Sequence, residues 1–211
     1  MKNLILILFL LFEINVVAQK KIIYINDILE VITRQQFKAR LTNYDYCISF
    51  DLDTLIVNVR VTRIREGKIS EKYLQEIKNN ITLTTGSPIS DEVKLVLNFY
   101  PGIDKCNTAS ETNDLQLIER YLKYSEEIKK IQNVKQFFVY KSIEGTESYG
   151  PHIKWIPDVN QTIEKLFFKI PFPCESYVII DKDGNYYCYK GEYNIDEIIP
   201  KLIMETNSIH R

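Results

Sequence analysis

Residues 177–189, YVIIDKDGNYYCY, constrain the fold of this chain more than any other stretch. A β-branched apolar run ends at Asp181. Asp183-Gly184 then supplies a dipeptide that accepts the positive φ values of a tight hairpin turn. Tyr186 to Tyr189 return as a second strand, antiparallel to the first. Upstream, residues 94–100 (KLVLNFY) and 136–140 (QFFVY) are short apolar runs of strand length. The segments between the strands are helical. Asn113 opens one helix with Gln116 at the capping-box position; Leu115, Ile118, Leu122, Ile128 and Ile131 fall on one face and Glu119, Lys123, Glu126 and Lys130 on the other. Asp158 caps a second, with Gln161 three residues on and Val159, Ile163, Leu166 and Phe167 at helical spacing. Asn194 caps a third, with Glu197 in the box, Ile195, Ile198, Ile199, Leu202 and Ile203 inward, and Pro200 kinking it or delaying its start. Strands joined by helical crossovers run parallel. The order predicts an α/β domain over residues 93–204: a mixed central sheet with helices on both faces.

Residues 19–92 read as an N-terminal extension of helix and strands. Asn26 caps a helix running towards Leu41, with Ile28, Leu29 and Ile32 on one face. Tyr46, Ile48 and Phe50 alternate as in a half-buried strand, and Asp51-Leu52-Asp53 makes a turn. Leu55, Val57, Val59 and Val61 alternate in a second strand that Glu66-Gly67 ends. Ser70 to Asn79 forms a short helix with Tyr73, Leu74 and Ile77 inward. Gly86-Ser87-Pro88 is a loop. Residues 205–211 are a tail.

The first 18 residues have the form of a secretory leader. Lys2 is followed by the nine-residue apolar run from Leu4 to Phe12, and Val16-Val17-Ala18 places suitable residues before a cut at Gln19. A membrane-spanning helix needs roughly 20 apolar residues, so no integral segment remains after leader removal. The expected location is the periplasm or the extracellular space. The formal net charge is -1, with acids and bases interspersed, which excludes a basic nucleic-acid surface. Export permits disulfides among Cys47, Cys106, Cys174 and Cys188, and four cysteines allow three full pairings. The two histidines, His152 and His210, form no zinc-binding spacing with cysteines or acids. No phosphate loop or nucleophile elbow is present either, so the expectation is no cofactor and no metal.

KLVLNFYP resembles the first core strand of thioredoxin-like and peroxiredoxin-like proteins. YVIIDKDGNYYCYKG (177–191) resembles their closing hairpin, and WIPDVNQTIEKLFFKIPFP (155–173) resembles the helix and approach to their cis-proline loop. The resemblance covers residues 93–204 and implies a thioredoxin-like fold. It also implies that the loop after the first strand lies beside the loop before the third, bringing Cys106 within disulfide reach of Cys174. Pro173 is then the cis-proline candidate, although counting back from Asp181 puts the usual position nearer Glu175. The chain departs from the family at the active site. Only Cys106 follows the first strand where a CxxC is usual. Asp104 stands about where the attacking cysteine belongs, and Ile103 where a peroxiredoxin carries threonine.

A thiol–disulfide centre needs a thiolate of lowered pKa and a partner sulfur. Cys106, between strand and helix, is the candidate attacking thiol, with Cys174 its partner. The alternatives for Cys106 are a structural disulfide or a buried thiol, and Asp104 opposes a thiolate. Cys47 and Cys188 read as packing residues, Trp155 as a loop anchor and His152 as a surface residue. Two functions follow: thiol–disulfide exchange with another exported protein, or a non-catalytic binding module of the cell envelope. A peroxidase is third, lacking the threonine and the usual spacing. N-terminal sequencing of the exported form is expected to begin at or near Gln19; an intact Met1 on membrane-bound protein would remove the leader.

Overall fold

A computed structural model describes residues 20–104, 106 and 115–208. The expected leader at 1–18 and the expected Asn113 cap lie outside the described residues. Two compact units emerge: residues 20–39 with 47–60, and residues 40–46 with 61–208.

The first unit is built on a three-stranded sheet. Its elements are β1 (Lys21–Asn26), the short α1 (Arg34–Lys38), β2 (Asp45–Asp51) and β3 (Leu55–Thr62), in the sheet order β1-β3-β2. β1 runs parallel to β3, with Lys21 opposite Leu55 and Asn26 opposite Arg60. The helix expected from Asn26 towards Leu41 is therefore replaced by a strand and a five-residue helix. Three isoleucines in KIIYIN suit an extended backbone better than a helix. Asn26 turns the chain instead: its Oδ1 accepts from the amides of Ile28 and Glu30 at 3.1 and 2.9 Å. The helix start falls to Thr33, which forms a reciprocal capping box with Gln36. Arg60 donates to the carbonyls of Gln36, Phe37 and Ala39, satisfying the helix end.

The second unit holds a six-stranded sheet. Its elements are β4 (Ile64–Lys68), α2 (Glu71–Thr85), β5 (Lys94–Tyr100), α3 (Leu115–Lys129), β6 (Val134–Tyr140), β7 (Trp155–Pro157), α4 (Thr162–Phe167), β8 (Ser176–Ile180), β9 (Asn185–Tyr189) and α5 (Ile198–Ser208). The strand order is β4-β9-β8-β5-β6-β7. β5, β6 and β7 are parallel; β8 is antiparallel to β5, and β9 to β8 and β4. The expected parallel pairing of β5 with β6 and the hairpin through Asp183-Gly184 are both present.

β4 and α2 belong to this unit rather than to an N-terminal extension. Glu66-Gly67, expected to end a strand, lies inside β4 and pairs with Tyr187 and Tyr186. Glycine suits that position because a Cβ there would meet the Tyr186 ring at 2.8–3.0 Å. α2 runs past Asn79 to a left-handed Gly86 cap, burying Leu74, Ile77 and Ile81. Tyr73, expected inward, is 43% exposed, and Leu115 on α3 is 70% exposed. On α3 Ile128 is buried as expected, and Tyr121 and Tyr124 are the other buried positions. Pro200 falls in the first turn of α5, after a 3-10 turn at Ile195–Glu197, so it delays the helix.

β5 is buried on both faces, which explains its nearly unbroken apolar run. Val96, Tyr100, Phe138 and Ile179 pack with Tyr124 and Ile128 of α3 and Ile198 and Leu202 of α5. On the other face Leu97 and Val139 adjoin Ile77 and Ile81 of α2 and Ile163 of α4. Phe99 stacks on Phe168 with ring centroids 5.0 Å apart. The helix expected to start at Asp158 begins only at Thr162, after a 3-10 turn at Val159–Gln161 in which Asn160 and Gln161 are left-handed. The Asp158 carboxylate still reaches its first turn, accepting from the amides of Ile163 and Glu164 at 2.9 Å each. No described helix is long and apolar enough to cross a membrane.

The hairpin turn offers a test. Gly184 has φ +82, and a Cβ there would lie 2.8 Å from the Ile69 carbonyl oxygen. Gly184→Ala is expected to cost about 1–3 kcal/mol in urea-unfolding free energy; unchanged stability would mean that the turn can adopt another form.

Candidate functional site

β5 ends at Tyr100, and Pro101-Gly102 turns the chain out of the sheet, with Gly102 at φ +119. This brings Asp104 and Cys106 over the sheet end where β8 begins. Cys174, two residues before β8, is disulfide-bonded to Cys106 with Cα atoms 5.2 Å apart across 68 residues. The expected proximity of the two cysteines is therefore present. Cys106 is exposed and Cys174 half-buried. Cys188 is a buried thiol, as expected; Cys47 is exposed on β2, contrary to a packing role.

Asp104 takes a part that sequence alone does not suggest. Its Oδ1 accepts from the amide of Cys106 and its Oδ2 from the amide of Cys174, both at 2.7 Å. One carboxylate thus ties the backbones of the two bonded cysteines, through charge-assisted hydrogen bonds that are roughly twice as strong as neutral ones. Cys174 has φ 64, a left-handed conformation unfavourable for a residue with a Cβ. The bond from Asp104 holds it there. No peptide bond among the described residues is cis. Pro173 is accordingly trans, which corrects the cis-proline expectation; the unusual backbone at this loop falls on Cys174.

Behind the disulfide lies a buried polar chain. Glu175 is 5% exposed, and its Oε2 accepts from the hydroxyls of Tyr121 at 2.9 Å and Tyr193 at 3.1 Å. Tyr193 in turn accepts from Nδ2 of Asn98 at 2.7 Å. Asn98 has no exposed surface, and its Oδ1 accepts from Tyr124 Oη and Gln136 Nε2 at 3.1 and 2.9 Å. Oε1 of Glu175 is buried as well, and the Tyr149 hydroxyl also bears on this carboxyl. Burial raises the Glu175 carboxyl above the ordinary carboxylate range, opposed by the hydroxyls of Tyr149, Tyr121 and Tyr193. Burial, and then the Glu175 charge, raise Tyr121 and Tyr193. Tyr100 is pushed up to about 12, by burial first and then by Glu175.

A cleft of about 190 Å³ opens here, lined by the two bonded cysteines, Tyr121, Glu175, Glu192 and Tyr193 among others. No lysine, arginine or histidine is among its described lining residues. Glu192 is placed by its loop: the Gly191 amide donates to Ser176 Oγ at 3.0 Å, and Arg63 donates to the Glu192 carbonyl at 3.1 Å. Trp155 is an anchor within an aromatic cluster, its ring 5.2–5.5 Å from those of Phe138, Tyr149 and Tyr100. His152 is exposed, as expected.

Glu175, Glu192, Asn98 and Tyr193 were not singled out by sequence. Two weak signals existed: Asn98 is a polar residue inside KLVLNFY, and Glu175 directly follows Cys174. No family model matches the chain, and no curated protein is similar to it.

The raised Glu175 has a defined consequence. A carboxyl whose folded pKa exceeds its unfolded pKa contributes stability that is complete below the unfolded value and lost as pH rises through the folded value. Glu175→Gln keeps an acceptor and cannot ionise. Urea unfolding from about pH 4 to about pH 8 is expected to show the variant gaining on the wild type as pH rises; parallel curves would mean that Glu175 does not titrate differently on folding.

Proposed function

We propose that this protein is an exported thiol–disulfide exchange protein of thioredoxin type, with Cys106 and Cys174 as its redox pair. The observation that carries this is a disulfide at the mouth of an open cleft, one sulfur-bearing residue exposed and the other half-buried. Exchange needs an attackable sulfur and a leaving sulfur, and this asymmetry favours Cys106 as the first and Cys174 as the second. A partner thiolate attacks Sγ of Cys106, forming a mixed disulfide. The S–S electron pair leaves on Cys174, which takes a proton. A second partner thiol then attacks the mixed disulfide and releases Cys106. The protein gains two electrons and two protons, and the partner becomes a disulfide.

Three features support the thioredoxin-type reading. β5 and β6 are parallel, β8 and β9 form an antiparallel hairpin beside them, and the cysteine loop follows β5. The left-handed backbone of Cys174 and its tie to Asp104 give the site a fixed geometry. Export through residues 1–18 would place it where disulfides persist, with another exported protein as partner.

A non-catalytic binding module of the cell envelope is the second reading, and one observation favours it. Among the described residues lining the cleft there is no cation to stabilise a thiolate. In that case the disulfide is a staple between two loops.

Equilibration of the oxidised full chain in graded dithiol buffers, followed by alkylation and peptide mapping, separates the two. An exchange protein is expected to have a midpoint above about −300 mV, whereas a structural bond falls below it. In either case, replacing both Cys106 and Cys174 by serine is expected to cost about 2–5 kcal/mol in unfolding free energy.

A further inference from the structure

Reducing the disulfide would change the electrostatics of the cleft. Two sulfurs would gain the ability to ionise beside the carboxyls of Glu192 and Glu175, with no basic side chain among the described lining residues. Thiolates crowded with carboxylates require a counter-charge, and a cation is the group that can supply one. The ligand atoms of Cys106, Cys174 and Glu192 all lie within 4.8 Å of one another. In a tetrahedral zinc site with Zn–S near 2.3 Å and Zn–O near 2.0–2.2 Å, ligand atoms stand about 3.5–3.8 Å apart. The Glu192 carboxylate already lies close to both sulfurs, and once the S–S bond is broken rotation of the exposed Cys106 side chain can part the two sulfurs to that spacing. Two thiolates and one carboxylate suit a borderline-soft divalent ion.

The sequence carries no contiguous metal motif because the donors come from three separate loops.

We propose that reduced Cys106 and Cys174, together with Glu192, form a binding site for a thiophilic divalent cation such as zinc, which the disulfide closes. The inference rests on the reading that this bond opens to a dithiol. In the first step the protein disulfide and a dithiol exchange to give the protein dithiol and the partner's disulfide. In the second, the two thiols bind the cation and release two protons. The site thus couples redox state to metal occupancy: oxidation expels the ion, and the bound ion protects the thiols.

The test uses the full chain carrying Cys47→Ser, which removes the exposed thiol outside the site. A phosphine reductant opens the bond whether or not dithiols can, so failure of metal binding is distinguishable from failure of the exchange reading. After anaerobic removal of the reductant, cobalt(II) is titrated in. One-to-one uptake is expected, with a sulfur-to-cobalt charge-transfer band, intense tetrahedral visible bands and displacement by zinc. The oxidised protein is expected to give neither band. Cys106→Ser and Cys174→Ser should each lose the charge-transfer intensity of one sulfur and the tight binding. Glu192→Gln, at an exposed position that leaves folding intact by circular dichroism, should weaken cobalt binding by at least the roughly 10–100-fold typical of losing an outer-sphere partner. Reduced protein with no cobalt bands overturns the proposal, as do bands unchanged in Cys106→Ser or an affinity unchanged in Glu192→Gln.

Discussion

Asn98 sits in the middle of β5 with no exposed surface, between apolar neighbours on the strand. A buried amide left without hydrogen-bond partners loses stability. The partners of Asn98 organise one side of the sheet. Tyr124 comes from α3, Gln136 from β6 and Tyr193 from the loop after β9, so one side chain registers three elements against the central strand. Tyr193 hands the chain of hydrogen bonds on to Glu175, next to the disulfide. The polar path from the sheet centre to the cleft is therefore continuous. Cooperative strengthening along such a path makes it stiff when complete and costly when cut.

The same region shows how two opposed demands are met. The loop after β5 must leave the sheet, yet lie close enough to Cys174 for a covalent bond. Asp104 meets both demands by accepting from the two cysteine amides at once. The carboxylate that stands two residues before Cys106 is thus a backbone clamp. Its negative charge makes an isolated thiolate on Cys106 less favourable. The site is therefore arranged to hold the oxidised bond, or a reduced pair with a neutralising partner.

The parts legible in the sequence were those governed by local chemistry. The apolar runs of β5, β6 and β8 and the Asp183-Gly184 turn announce themselves within a few residues. The misplaced parts depended on distant partners. KIIYIN is a strand because β3 lies beside it, and α1 is short because its cap falls at Thr33 rather than Asn26. IREGK joins the main sheet because β9 offers an edge more than a hundred residues later, and nothing within five mostly polar residues says so. Leu115 looked inward by spacing, but the α3 face is set by tyrosines whose hydroxyls seek Asn98 and Glu175. At the site, the cysteines were readable as residue types. The carboxyls were not, since Asp, Glu and Asn become remarkable only once burial and partners are known.

The ends of the six-stranded sheet carry a consequence for how other proteins can approach. β7 has three residues, closed by Pro157, whose nitrogen has no hydrogen to donate. β4, at the opposite end of the strand order, is five residues long with Arg65, Glu66 and Lys68 along it and Gly67 beneath the Tyr186 ring. Short, charged or proline-bearing edges are poor templates for an added strand. The sheet thus discourages both self-polymerisation and docking by β-augmentation. Recognition that reads side chains at the end of the sheet, rather than backbone along its rim, is the mode this architecture leaves open.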